Sequence, residues 1–168
     1  RILSTAPSDV AIFVDRGFVK PRKVLVPYLG TRHDQLALEL ANRIARNTEA
    51  TVTVLHVVRP RGGDGAARGA KAAVERVFQE PGQPTPVTFR VLEDDSPVDA
   101  VLREANAGAF DLTLIGIGEE WGLESHLFGL RPERIAEECS SSLLIVRTHR
   151  TASPTPTPAP EVAPRAGV

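Results

Sequence analysis

The strongest constraint in this sequence is an alternation. Five short apolar runs, at residues 23–28, 51–58, 86–92, 111–116 and 142–147, are separated by stretches with helical spacing. Each run is short and rich in β-branched residues, which favours strand over helix. Leu112-Thr113-Leu114-Ile115 is nearly continuous in apolarity, as a strand covered on both faces of a parallel sheet must be. Between the runs, Leu36, Leu40 and Ile44 form one stripe at helical spacing, with Ala37, Ala41 and Ala45 beside it. Ala73, Val74, Val77 and Phe78 repeat the pattern, as do Val98, Val101, Leu102 and Ala105. Ser96-Pro97 supplies an N-cap followed by proline at the first helical position. Arg131-Pro132 opens a last helix in which Ile135 and Cys139 share a face. Strands alternating with helices predict an α/β fold, a five-stranded parallel doubly wound sheet with right-handed crossovers.

Composition narrows the setting. The chain has 168 residues, 42% apolar and 24% charged, enough for one domain with a sizeable core. A net charge of −1 gives no basic surplus for nucleic acid or an anionic membrane. The single cysteine, Cys139, excludes an internal disulfide framework and fits a reducing compartment. No apolar run reaches the roughly 20 residues that span a bilayer, and no secretory signal opens the chain. The absence of methionine and the start at Arg1 are read as marks of a piece of something longer.

The opening residues deepen that reading. Arg1-Ile2-Leu3-Ser4-Thr5-Ala6-Pro7-Ser8-Asp9-Val10-Ala11-Ile12-Phe13-Val14 can be laid over Arg134-Ile135-Ala136-Glu137-Glu138-Cys139-Ser140-Ser141-Ser142-Leu143-Leu144-Ile145-Val146-Arg147. Both run from an Arg-Ile helix end through a small polar turn into an apolar strand. Residues 1–19 are therefore expected to be the end of a preceding copy of the same fold. The other reading makes them an added edge strand of a single domain. Residues 20–149 form the complete domain, residues 62–69 a flexible loop before the second helix, and residues 150–168 a disordered Pro-rich tail.

The residues now resemble the universal stress protein family. Lys23-Val-Leu-Val-Pro27 is similar to its first strand, Asp111-Leu-Thr-Leu-Ile-Gly116 to its fourth and Ser140-Ser-Ser-Leu-Leu-Ile-Val-Arg147 to its fifth. The resemblance implies an adenine nucleotide alpha hydrolase-like sheet and a nucleotide cleft where strand order reverses. Many members bind ATP there through Gly, two residues, Gly, nine residues, then Gly-Ser or Gly-Thr. Bare backbone in such a loop approaches phosphates and offers them N–H groups. In this chain the implied cleft comprises Tyr28 and Gly30 after the first strand, with Gly116, Gly118, Gly129 and Arg131 around the fourth. Gly116 and Gly129 keep the family separation, but Glu119 replaces the middle glycine and Leu130 the closing hydroxyl residue. Leu29 stands where ATP-binding members carry aspartate. Glu119 and Glu120 would place negative charge beside a triphosphate, which is costly at low dielectric. No cofactor is expected, with ATP, AMP or another adenine nucleotide as the alternative.

A second resemblance concerns context. Val14-Asp15-Arg16-Gly17, then Val24-Leu-Val-Pro-Tyr-Leu-Gly30 and His33-Asp34, is similar to the cytosolic tail of monovalent cation:proton antiporters. There two stress-protein-like halves follow a membrane domain in tandem. This implies a transmembrane transporter domain in the same polypeptide, a cytoplasmic location at an inner membrane, and pairing through the fifth strand, where Leu143, Leu144 and Ile145 lie.

Other chemistry is set aside. His33, His56, His126 and His149 are dispersed and make no metal-ligand spacing with Cys139, which is read as a packed core thiol. His33 and Asp34 are read as a helix-start region, the acid complementing the dipole. Glu93, Asp94 and Asp95 are read as a solvated turn. Trp121 and Phe128 either close over a ligand or cover the cleft. No nucleophile–base–orienter set appears, so the chain is expected to be a non-catalytic regulatory domain. The alternative is a stand-alone nucleotide-binding stress protein.

Overall fold

The computed structural model describes residues 7–60, 65–79, 84–117 and 132–149. They form β1 (Val10–Val14), β2 (Lys23–Pro27), α1 (Arg32–Thr48), β3 (Thr51–Val58), α2 (Gly65–Phe78), β4 (Val87–Glu93), α3 (Pro97–Ala107), β5 (Leu112–Gly116), α4 (Pro132–Glu138) and β6 (Ser142–Arg147). The sheet order is β1-β6-β5-β2-β3-β4. The five strands expected from the alternation are β2 to β6, and all of their pairings are parallel. β1 joins the edge of β6 antiparallel, with Val10 opposite Arg147, Ile12 opposite Ile145 and Val14 opposite Leu143. The edge that the sequence leaves for pairing is thus occupied by the chain's own first strand.

Successive residues of the central strands feed two cores, because side chains alternate across the sheet. Val24 and Val26 of β2 meet α1 and α2 on one face, with Ala37, Leu38, Val74 and Phe78. Leu25 meets α3 and α4 on the other, with Val98, Val101, Leu102 and Ile135. Two-sided coverage is what the near-continuous apolar runs demand.

Three local expectations need correction. The face of α1 that sinks deepest is Ala37, Leu38, Ala41 and Ala45, while Leu36, Leu40 and Ile44 are half-buried. Small side chains let the helix axis come close to the sheet, and the larger ones flank the contact. Residues 65–69, assigned to a loop with 62–64, are the first turns of α2, whose Ala70, Val74 and Phe78 anchor it. The strand runs also shift by a residue: the first ends at Pro27, the third spans Val87–Glu93 and the fourth starts at Leu112. The tail beyond residue 149 and the opening residues 1–6 lie outside the described residues.

Candidate functional site

Strand order reverses between β2 and β5. From β2 the chain moves toward β3, and from β5 it moves toward β6, so a crevice opens at the carboxyl ends of this pair. Its walls are the turn from β2 into α1, the end of β5 and the first turn of α1.

The turn is built by a few fixed contacts. Tyr28 donates its N–H to the Leu55 carbonyl at 2.9 Å, and its own carbonyl accepts from Nδ1 of His56 at 2.7 Å. That bond fixes His56 as the Nδ1–H tautomer, since a carbonyl only accepts. Its Nε2 is buried without a partner among the described residues, and the ring stacks on Phe89 at 6.3 Å. Gly30 takes φ +94°, which turns the chain into the helix without the Cβ penalty another residue would meet. Thr31 then caps α1: its hydroxyl accepts from the Asp34 N–H at 3.2 Å. Asp34 reaches back and accepts from the N–H groups of Thr31 at 2.9 Å and Leu29 at 3.1 Å. This is a capping box with aspartate at its third position.

Asp34 thus caps the helix start as expected, and both His33 and Asp34 are buried, at 3% and 2% exposure, beneath the crevice. Nδ1 of His33 accepts from the Thr148 N–H at 3.1 Å. A neutral imidazole accepts at one nitrogen only, so this shorter contact to a buried main-chain donor takes precedence over the 3.3 Å contact from Arg32 Nε to Nε2. Burial pushes the Asp34 carboxyl above the usual carboxylate range, against the lowering by its bonds to Thr31 and Leu29. Burial and the nearby Asp34 charge push the Tyr28 phenol up.

Gly116 closes the crevice from the β5 side. A Cβ built there would lie 2.3 Å from the His33 carbonyl carbon and 2.4 Å from the Asp34 nitrogen. The first turn of α1 therefore rests on bare backbone. The next residue, Ile117, is buried and donates its N–H to Val146 at 2.8 Å.

Of the six residues implied as a nucleotide cleft, Tyr28, Gly30 and Gly116 come together at this crevice. Gly118, Gly129 and Arg131 lie outside the described residues, as do Glu119, Glu120, Trp121, His126, Phe128 and Leu130. Asp34, read only as a helix-start acid, is the central polar group of the crevice floor. The signal for it was the Thr31-x-x-Asp34 spacing that makes a capping box. No group of three or more His, Cys, Asp or Glu able to hold a metal occurs among the described residues, and no helix there is long and apolar enough to cross a membrane.

A cavity of about 400 Å³ opens at the opposite end of the sheet, near the amino ends of β2, β5 and β6. Arg16, Phe18, Lys20, Phe110, Asp111 and Ser140 line it among others. The Asp111 carboxylate is engaged there by the N–H groups of Arg22 and Lys23, at 3.0 and 2.8 Å. Sequence reasoning does not find this cavity; the spacing of Arg16, Lys20 and Arg22 around Phe18 is the signal that marks it.

The fold is shared with several solved structures. A universal stress protein solved in complex with cAMP is 22% identical, with a TM-score of 0.58 over 76% of this chain and 97% of that one. UspA from Lactobacillus plantarum is 19% identical, with a TM-score of 0.56 over 77% of this chain and 99% of that one. A universal stress protein from Archaeoglobus fulgidus is 20% identical, with a TM-score of 0.62 over 86% of this chain but 52% of its own. At these identities the likeness concerns the fold alone. No curated protein matches the chain significantly. The sequence pattern of the Universal stress protein family, however, matches residues 20–147, about three quarters of the length, and the chain belongs to that family.

Proposed function

We propose that this chain is a non-catalytic regulatory domain with a degenerate nucleotide cleft, working as the cytoplasmic part of a membrane cation:proton antiporter. The carrying observation is that the chain's own groups already occupy the crevice. The Asp34 carboxylate holds the N–H groups of Leu29 and Thr31, which are donors that a bound anion would otherwise receive. Gly116, the first glycine of the phosphate-loop pattern, spends its bare backbone on seating α1. Glu119, Leu130 and Leu29 depart from the ATP-binding pattern in the same direction.

The antiporter context draws on the residues that carried the resemblance. Asp15 Oδ1 accepts from the N–H groups of Gly17 and Phe18, at 3.0 and 2.8 Å, and Gly17 takes φ +82°. Asp15-Arg16-Gly17 is thus a built connector between β1 and β2, as a joint between two halves requires. The second reading, a stand-alone nucleotide-binding protein, is favoured by the likeness to a family member solved with cAMP.

Calorimetric titration with ATP, AMP and cAMP separates the two. The regulatory reading expects no saturable heat up to about 1 mM, an affinity of roughly −4 kcal/mol. A dissociation constant in the micromolar range would sink it in favour of the second.

A further inference from the structure

The cavity of about 400 Å³ at the amino ends of β2, β5 and β6 lies apart from the crevice. It crosses the end of the sheet, because Phe18 packs on the core shared with α1 and α2, and Phe110 on the core shared with α3 and α4. An edge-to-face contact with Phe13, at 5.5 Å between ring centroids, holds Phe18 in place. Between the two rings the walls are tied by the chain's own main-chain donors. Asp15 accepts from the N–H groups of Gly17 and Phe18, and Asp111 from those of Arg22 and Lys23. The Ser142 hydroxyl accepts from the Arg16 N–H at 2.8 Å, and the Ser140 N–H donates to Asn106 at 2.8 Å. The concavity is therefore preformed, as small-molecule sites usually are.

What these bonds leave over is positive charge. Residues 16–23 contain Arg16, Lys20, Arg22 and Lys23 and no acid, in a chain whose net charge is −1. The Arg16 guanidinium donates to the Ala136 carbonyl, near the carboxyl end of α4, where a cation complements the helix dipole. Ion pairs among the described residues join Lys71 to Glu75, Arg90 to Glu104, Arg103 to Asp94, and Arg134 to Asp99 and Glu138. None of them engages Arg16, Lys20 or Arg22. Asp111 is the one carboxylate that lines the cavity among the described residues, and a single oxygen of it already accepts two N–H bonds. One exposed cation is ordinary. Three around one concavity concentrate their field there and favour an anion between them.

We propose that this cavity binds a small organic oxyanion, a phosphate or carboxylate joined to a flat apolar body. Lys20 and Arg22 hold the anion, with the Ser140 hydroxyl as a further donor, and Phe18 and Phe110 hold the body. Arginine presents a planar fork of donors that matches the two oxygens of either anion, and the rings offer an apolar surface with a preferred stacking geometry. The volume is near the lower end of the range for small-molecule sites, about 300–1,000 Å³, which suits a ligand with a single ring. Because the site lies at the opposite end of the sheet from the crevice, it stands whether or not the crevice takes a nucleotide.

The test titrates this chain with phenyl phosphate and with benzoate, followed by the backbone amide shifts in NMR spectra. Phenol and inorganic phosphate are the uncharged and the ring-free controls. At least one of the two aromatic anions should saturate with a dissociation constant below about 1 mM, moving residues 16–22, 110–111 and 140–142; which of them does so tells phosphate from carboxylate. Each control should bind at least about 10-fold more weakly, a difference of about 1.4 kcal/mol. Lys20→Gln and Arg22→Gln should each weaken the anion by about 3–10-fold. Both side chains are exposed, and Asp111 is held by the main-chain N–H of Arg22, so these variants keep the fold. No saturable shift from either aromatic anion up to about 10 mM overturns the proposal. So do controls that bind equally well, full affinity in both variants, or shifts confined to residues 28–34 at the crevice.

Discussion

Replacing Gly116 with alanine isolates the contact on which the crevice depends. Gly116 is not among the glycines with positive φ, so alanine meets no backbone penalty there and the effect is one of space. The added methyl would sit 2.3 to 2.6 Å from three backbone atoms of His33 and Asp34. Carbon contacts settle at about 3.5–4.0 Å, so the first turn of α1 must withdraw by about an ångström. No flexible side chain stands in the way to yield instead. Withdrawal unseats Ala37 and Ala41, both fully buried, and stretches the bonds from Leu29 and Thr31 to Asp34. Overpacking of this kind costs about 1–3 kcal/mol, and replacing glycine returns about 0.5–1 kcal/mol through the unfolded chain. The net expectation is a loss of about 1 kcal/mol, or roughly 2–4 °C in Tm for a chain of this size. Gly69→Ala is the control, since nothing lies within 4 Å of a Cβ there and it sits inside α2. It should stabilise by about 0.5–1 kcal/mol. Thermal and urea denaturation followed by circular dichroism read both. A Gly116→Ala protein as stable as its parent would refute the close approach of α1 to β5.

Two further predictions concern buried polar groups. Burial raises the Asp34 carboxyl, so the folded chain holds that proton more tightly than the unfolded one. Its contribution to stability is therefore fully present below about pH 4, the unfolded value, and is lost as pH rises above it. Asp34→Asn should remove this slope: the stability of the parent relative to the variant should fall as pH rises above about 4 and through the raised folded value, and a difference that stays flat or rises would refute it. Cys139 is 2% exposed, and its sulfur lies 3.2 Å from the Ser141 hydroxyl. Thiol labelling should follow global unfolding, slowing as stability rises, and rapid labelling of the native protein would refute a packed thiol.

The parts of this fold legible in the sequence are those whose signal is local. Leu112-Thr113-Leu114-Ile115 announces a strand covered on both sides because burial on both faces removes alternation, and Ser96-Pro97 announces a helix because capping acts within one turn. The orientation of α1 is not local. Its leucine stripe has the larger apolar area, yet the alanine side faces the sheet, because Gly116, remote in sequence, leaves room for a close approach. The glycines at 65 and 69 read as loop because helix propensity counts against them, and the anchoring of Ala70, Val74 and Phe78 overrides it. At the crevice, Tyr28, Gly30 and Gly116 were reachable only through the family resemblance. Asp34 was visible only as a helix-start acid, since its burial depends on the approach of β5. The apolar run of β1 was legible, while its antiparallel register against β6 is set by contacts remote in sequence.

The seam and the crevice meet through two adjacent residues at the end of β6. Asp9 accepts from the Thr148 hydroxyl at 3.0 Å and from the His149 N–H at 2.7 Å. The N–H of the same Thr148 donates to His33, whose backbone lies against Gly116. Whatever orders Asp9 ahead of β1 therefore holds Thr148 by its side chain, and Thr148 holds the crevice floor by its backbone. The Thr148–His33 bond is buried and the Thr148–Asp9 bond half-buried, where lower dielectric strengthens them, while the His149–Asp9 bond is exposed. Contact alone is not regulation, which also requires an element with two discrete arrangements. Asp9, Thr148 and His33 thus tie the start of β1 to the first turn of α1 through two hydrogen bonds.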